Sequence, residues 1–177
     1  MRATQTRPTG VERTFGVDEI IVTKTDPRGV ITYANEVFLR TSALTEAEAI
    51  GQPHNLIRHP DMPRSVFKLL WDTLEQRQEI FAYVKNLAAD GAHYWVFAHV
   101  TPSYTADGRF AGYHSNRRSP DKPVVTEVSR LYDRLLAAER GAPNTKAAVE
   151  AGWQAMLAEL GDQTYDEYVW ALTTGAR

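Results

Sequence analysis

Gly51-Gln52-Pro53-His54-Asn55-Leu56-Ile57-Arg58-His59-Pro60-Asp61-Met62-Pro63 is the stretch on which the reading of this chain turns. It sets three prolines, two histidines, an arginine and an aspartate between two segments of periodic apolar residues. Proline fixes φ and removes a backbone donor, so this loop is stiff. A stiff loop can hold polar side chains in one geometry, which is what a small-molecule pocket needs. Pro63 also suits the first turn of a helix. Val66, Phe67, Leu70, Trp71 and Leu74 then recur at helical spacing, and the pattern predicts a helix ending near Gln78.

Upstream, Ile20–Thr25 is β-branched and strand-like, and Val30–Tyr33 is a second short strand. Asp26-Pro27-Arg28-Gly29 between them is turn chemistry, so the two form a hairpin. Asn35 to Ala43 reads as a helix, and Thr45 with Glu48 has the spacing of a capping box. Downstream, the period changes. Ile80–Asn86 and His93–Tyr104 read as strands joined at Ala89-Asp90-Gly91, and Gly108–Asn116 reads as a third. Two strands, short helices, then three strands make an α+β protein with an antiparallel sheet and helices on one face. Ser119–Pro123 marks a boundary, and residues 119–177 form a helical C-terminal extension carrying apolar stripes that include Leu131, Leu135, Trp153 and Met156. Residues 1–17 read as a flexible N-terminal arm or cap with a short helix near Val11–Phe15, leaving 18–118 as the central domain.

The balance of 20 basic against 22 acidic residues gives a net charge of −2 and no electrostatic case for nucleic acid or a membrane surface. Without cysteine there can be no disulfide, thiolate metal site, cysteine nucleophile or flavin–cysteine photoadduct. No apolar run approaches the roughly 20 residues of a membrane span, and no apolar stretch follows the first arginines as a secretory signal requires. Neither a phosphate-binding glycine loop nor a nucleophile with a matched base stands out, so an enzyme is not expected.

Thr32-Tyr33-Ala34-Asn35, the Gly51–Pro63 loop, Val84-Lys85-Asn86, Gly91–Val96 and Gly112-Tyr113 together resemble the PAS domain of bacterial aerotaxis receptors, as does Pro8–Glu12 ahead of them. That resemblance implies a PAS fold with five antiparallel strands and a non-covalently bound FAD. It implies that Asn35, Arg58, His59, Asp61, Phe67, Trp71 and Asn86 line or support the flavin site, with Asp61 orienting His59 or pairing with Arg58. By analogy with related flavin-binding light sensors, Tyr94 points inward, Trp95 points outward and needs a cover, and His114 sits where a last-strand side chain contacts the flavin. The same resemblance implies a cytoplasmic redox or oxygen sensor, a homodimer, that signals in trans to a chemotaxis receptor or histidine kinase, since the C-terminal helices depart from the receptors' own signalling region. Two alternatives stand beside it. One is a gas sensor holding haem b through His59, and the other is a cofactor-free PAS module used for dimerisation. Plainer roles also exist: His54 and His59 as turn caps, Phe67 and Trp71 as helix core.

Overall fold

Side-chain alternation and turn chemistry assemble the sheet. In the computed structural model, which describes residues 6–175, Ile21–Thr25 (β1) and Ile31–Ala34 (β2) pair antiparallel. Their turn is tied by the Asp26 carboxylate, whose Oδ1 accepts from the Arg28 and Val30 amides at 2.8 and 2.9 Å. Gly29 takes φ +80°, a conformation that disfavours a side chain. Glu36–Ser42 (α1) follows, with Asn35 as its N-cap. Glu46–Ala49 (α2) opens with the expected Thr45/Glu48 capping box. The stiff loop contains a 3-10 helix, His54–Ile57, and leads into Arg64–Glu75 (α3).

Ile80–Leu87 (β3), His93–Tyr104 (β4) and Phe110–Arg118 (β5) complete a five-stranded sheet of order β2-β1-β5-β4-β3, antiparallel throughout. The last strand runs two residues beyond the expected Asn116, so Arg117 joins the sheet opposite Ile21 and Ala98. The expected α+β architecture, five antiparallel strands with helices inserted after the second, is the one observed.

Lys122–Arg140 (α4), Thr145–Leu160 (α5) and Tyr165–Thr174 (α6) are the C-terminal helices. They fold back and wrap the β3 edge, so helices touch both faces of the sheet. Tyr132 of α4 stacks on Trp95 at 6.1 Å and donates to the Tyr83 carbonyl at 2.7 Å. Trp170 of α6 leans on Phe81 at 5.0 Å, and α5 packs on α3. The outward Trp95 therefore receives its cover from within the chain. So does an edge strand whose unpaired backbone groups would otherwise invite association. None of these helices is long and apolar enough to cross a membrane.

The N-terminal arm departs from expectation. Val11–Phe15 is not helical; it lies alongside the start of β4. Thr9 N donates to Gly91 O (2.8 Å), His93 N to Val11 O (2.9 Å) and Arg13 N to His93 O (2.7 Å). Backbone groups spent on a strand cannot close helical turns. A Cβ at Gly91 would stand 2.5 Å from Arg7 O, so this hairpin tip must be glycine for the arm to pass. Arg13 clasps the arm down by pairing with Asp90 and donating to Thr41 O. Residues 1–5 of the expected arm lie outside the described residues.

Candidate functional site

The proline-rich loop is a strap between the two edges of the sheet. At one end Gly51 and Gln52 exchange backbone bonds with Ile31 of β2 at 2.9 Å each, and Pro53 bridges Val30. At the other, Arg58 bridges Asn86 of β3. Four inter-strand steps of about 4.8 Å would set these edges about 19 Å apart in a flat sheet. The five residue steps from Pro53 to Arg58, mostly 3-10 at about 2.0 Å each, reach only about 10 Å. The sheet must curl toward the strap, and the curl leaves a hollow beneath it.

That hollow is a cavity of about 230 Å³. Its floor is Thr23 and Thr25 of β1, Val84 and Asn86 of β3, Ala98 and Val100 of β4, and Tyr113, Ser115 and Arg117 of β5. The strap supplies His54, Asn55, Ile57 and Arg58, and α3 supplies Phe67, Leu70, Trp71 and Leu74. Trp71 stands half out of the protein beside Gly29, edge-on to Tyr113 at 5.8 Å. The walls are mostly apolar with a few convergent polar groups, the usual make-up of a ligand site, though the volume falls just below the usual range of about 300–1,000 Å³.

Several of these polar groups are unsatisfied. Among the described residues, four buried side-chain atoms have no hydrogen-bond partner: Thr25 Oγ1, Asn86 Nδ2, Ser115 Oγ and Arg117 Nη1. All four residues line this one cavity. Buried polar atoms are nearly always paired, and each orphan costs about 1–3 kcal/mol. Four of them converging on one hollow mark a place for a guest with its own acceptors and donors.

Arg117 is the extreme case. It is 5 % exposed and meets no carboxylate among the described residues. Burial depresses its pKa to about 10, which still leaves it charged at neutral pH. Its Nη2 donates to Thr23 Oγ1 (2.8 Å) and to His54 Nε2 (2.6 Å). Guanidinium has no acceptor, so His54 Nε2 must carry the lone pair and Nδ1 the proton. The Thr23 hydroxyl lies 3.2 Å from the same nitrogen, whose single lone pair Arg117 occupies, and its oxygen accepts from Nη2. Burial first, and the Arg117 charge second, hold the His54 pKa well below the usual histidine range. Thus a neutral imidazole orients a cation whose other arm opens into the cavity.

Of the residues singled out from the sequence, Arg58, Phe67, Trp71 and Asn86 meet at this cavity. Arg58 lies over the Phe67 ring at 4.1 Å. Asn35 is engaged elsewhere: its Oδ1 accepts from Val22 N and Phe38 N (3.0 Å each) and its Nδ2 donates to Ile20 O (2.8 Å). It fixes the start of α1 rather than lining the hollow. Tyr94 does point inward, fully buried, but its hydroxyl is held by Ser42 at 2.8 Å. His59 and Asp61 sit beyond the β3 edge. His59 Nδ1 accepts from Asp61 N at 3.1 Å, its ring stands edge-on to His93 at 5.9 Å, and Asp61 pairs with Lys85 (3.2 Å) rather than with Arg58. Burial and the nearby Lys85 lower the His59 pKa to about 4.

His114 belongs to the opposite face of the sheet, bonded to Asn116 at 3.1 Å, because Tyr113, Ser115 and Arg117 are the β5 residues that line the cavity. One residue of register moves a side chain through the sheet. Sequence reasoning passed over Thr23, Thr25, Ser115 and Arg117. The alternation Tyr113, Ser115, Arg117 is the signal in the sequence, and it is complete only because β5 runs past Asn116 to Arg118.

Residues 31–116 match the family model described as the PAS fold. The chain carries a PAS domain. In sequence it is 36 % identical over 144 residues to the aerotaxis receptor of Escherichia coli K12, and 31 % identical over 130 residues to the nitrogen fixation regulatory protein of Klebsiella pneumoniae. These alignments cover 81 % and 73 % of the chain but 28 % and 26 % of the relatives, so the chain spans about a quarter of the length of those proteins. The PAS domain of a Colwellia psychrerythraea protein superposes with a TM-score of 0.52 at 21 % identity, covering 58 % of this chain and 87 % of that one. A light-oxygen-voltage domain studied with a flavin analogue gives 0.54 at 18 %, covering 63 % and 83 %. At such identities the structures share the fold alone. The aerotaxis-receptor kinship read from the strap and strand motifs is the kinship found.

Proposed function

We propose that this PAS domain is a redox or oxygen sensor that holds the isoalloxazine of a non-covalent FAD in the cavity under the strap. The observation that carries the reading is the convergence of the four orphaned polar atoms there. An isoalloxazine has apolar faces and a pyrimidine edge of alternating carbonyls and nitrogens. Asn86 Nδ2 and Arg117 Nη1 offer donors to that edge, while Thr25 and Ser115 offer hydroxyls that donate or accept. Phe67, Trp71 and Leu70 present apolar surface to the rings, and Arg58 stands at the strap for a carbonyl or phosphate. At about 230 Å³ the cavity suits a ring system and leaves the adenosine half of a dinucleotide at the mouth, beside Arg28 and Trp71. A bound flavin supplies reversible electron and proton uptake. A fixed cation, Arg117, favours added negative charge at the ring, and its link through Thr23 and His54 to β1 and the strap gives any change at the ring a path into the sheet.

Haem b is less well served. His59, the axial ligand of that alternative, does not line the cavity, and the lone pair of His54 is already taken by Arg117. A cofactor-free dimerisation module would leave the four orphans unexplained. A sensor without enzymatic activity fits the site best. An aerotaxis receptor and a nitrogen fixation regulatory protein as relatives support a signalling output. We take that output to run in trans to a chemotaxis receptor or histidine kinase, from a cytoplasmic homodimer. His59, Asp61, Tyr94 and Asn35 then support the walls without touching the rings.

Purified protein should show flavin absorption, and heat should release FAD identifiable by mass. A Soret band would favour haem, and colourless protein that takes up no added FAD would leave the adaptor reading.

A further inference from the structure

Helix α3 gives the cavity Phe67, Leu70, Trp71 and Leu74, yet it has no capping side chain of its own, since Pro63 occupies the cap position. The cap comes from the other end of the chain. Glu139, in the last turn of α4, accepts from Arg64 N at Oε2 (2.9 Å) and from both the amide and the hydroxyl of Ser65 at Oε1 (2.9 and 2.8 Å). The carboxylate is 7 % exposed and forms no ion pair among the described residues. The amino end of α3 is its counter-charge, and charge-assisted bonds of this kind are among the strong ones. Helix α5 closes the arrangement. A Cβ at Gly152 would lie 2.5 Å from Glu139 Oε1 and 2.7 Å from Ser65 Oγ, so only glycine leaves room for the carboxylate. Three helices thus meet at one buried acid, and one of them is the cavity wall.

We propose that Glu139 is a positioning residue for the cavity: it fixes the amino end of α3 and makes cavity occupancy and docking of the α4–α5 pair one linked equilibrium. The flavin half of this statement rests on the function proposed above. Linkage is reciprocal, so a guest that settles α3 must tighten α5, and loosening α5 must weaken the guest. No α5 residue lines the cavity, so direct contact cannot produce the effect.

Hydrogen exchange on the full chain, with and without added FAD, tests this. In the unsubstituted protein FAD should slow exchange in residues 64–70 and also in residues 148–156. Glu139→Gln should speed exchange of 64–70 about tenfold without FAD, raise the Kd for FAD about tenfold, and abolish the protection of 148–156. Gly152→Ala should reproduce all three changes by crowding the carboxylate, with Glu139 and every cavity residue left unsubstituted. Folded E139Q protein with undiminished FAD affinity overturns the proposal, as does α5 exchange that ignores bound FAD. If the unsubstituted protein binds no FAD, the flavin reading fails separately. The anchoring role then stands or falls on ligand-free exchange of 64–70: tenfold faster in E139Q upholds it, and an unchanged rate overturns it.

Discussion

Arg117 is a buried cation that pairs with no carboxylate among the described residues, and such a group is retained against its desolvation cost. Arg117→Met should leave the urea stability of ligand-free protein within about 1 kcal/mol, since the lost bonds to Thr23 and His54 are offset by relief of the buried charge. FAD affinity should fall about tenfold or more, because a charge-assisted contact is worth about 1.5–3 kcal/mol. A binding isotherm unchanged by the substitution would remove Arg117 from the site. The histidines make a second residue-scale statement. His54 and His59 are neutral when folded, with pKa values pushed down, that of His59 to about 4, from the ordinary 6.5 of an exposed chain. Between those values the unfolded chain binds more protons, so stability rises with pH there and is lost as pH falls below about 6.5. The melting temperature should drop between pH 7 and pH 5, before carboxylates titrate, and His59→Asn should flatten the drop. A melting temperature level across that interval would contradict both assignments. The sequence showed which residue types the strap carries. It did not show that His59 turns away from the hollow, because that depends on Lys85 and His93, far along the chain.

Elements were more legible than contacts. Period-2 and period-3.6 patterns, the Asp26–Gly29 turn and the Thr45/Glu48 box placed the hairpin, the helices and the three long strands within a few residues. Two residues at the end of β5 were enough to hide Arg117, because a strand has no cap to announce where it stops. Edge protection was not legible at all. The Tyr83 carbonyl of β3 is satisfied by the Tyr132 hydroxyl, 49 residues later, which also meets the Tyr165 hydroxyl at 2.7 Å. Burial raises the pKa values of both phenols, so they stay protonated and keep donating. Tyr132→Phe strips the partner from a buried carbonyl and should cost about 1–3 kcal/mol in urea unfolding. It should also speed exchange of β3 amides more than those of β1. Loss spread evenly over the sheet would argue against a local edge role.

At the scale of the whole molecule, a strap, a curled sheet and helix α3 enclose one hollow, and the C-terminal helices hold α3 from outside it. A guest that settles there binds the folded state alone and must stabilise it. At a hundredfold excess over Kd the gain is about 2.7 kcal/mol, or roughly 5–10 °C in melting temperature for a chain of this size. FAD added to ligand-free protein should produce that shift, and riboflavin a smaller one if Arg28 or Arg58 meets the phosphates. No shift at saturating FAD would mean that the hollow takes something else. The most direct measurement is a crystal structure of the protein grown with FAD. The account predicts ring heteroatoms within hydrogen-bond distance of Asn86 Nδ2 and Arg117 Nη1, beneath an intact Pro53–Arg58 strap. A structure with the hollow filled by the protein's own side chains, or with the flavin bound elsewhere, would contradict it.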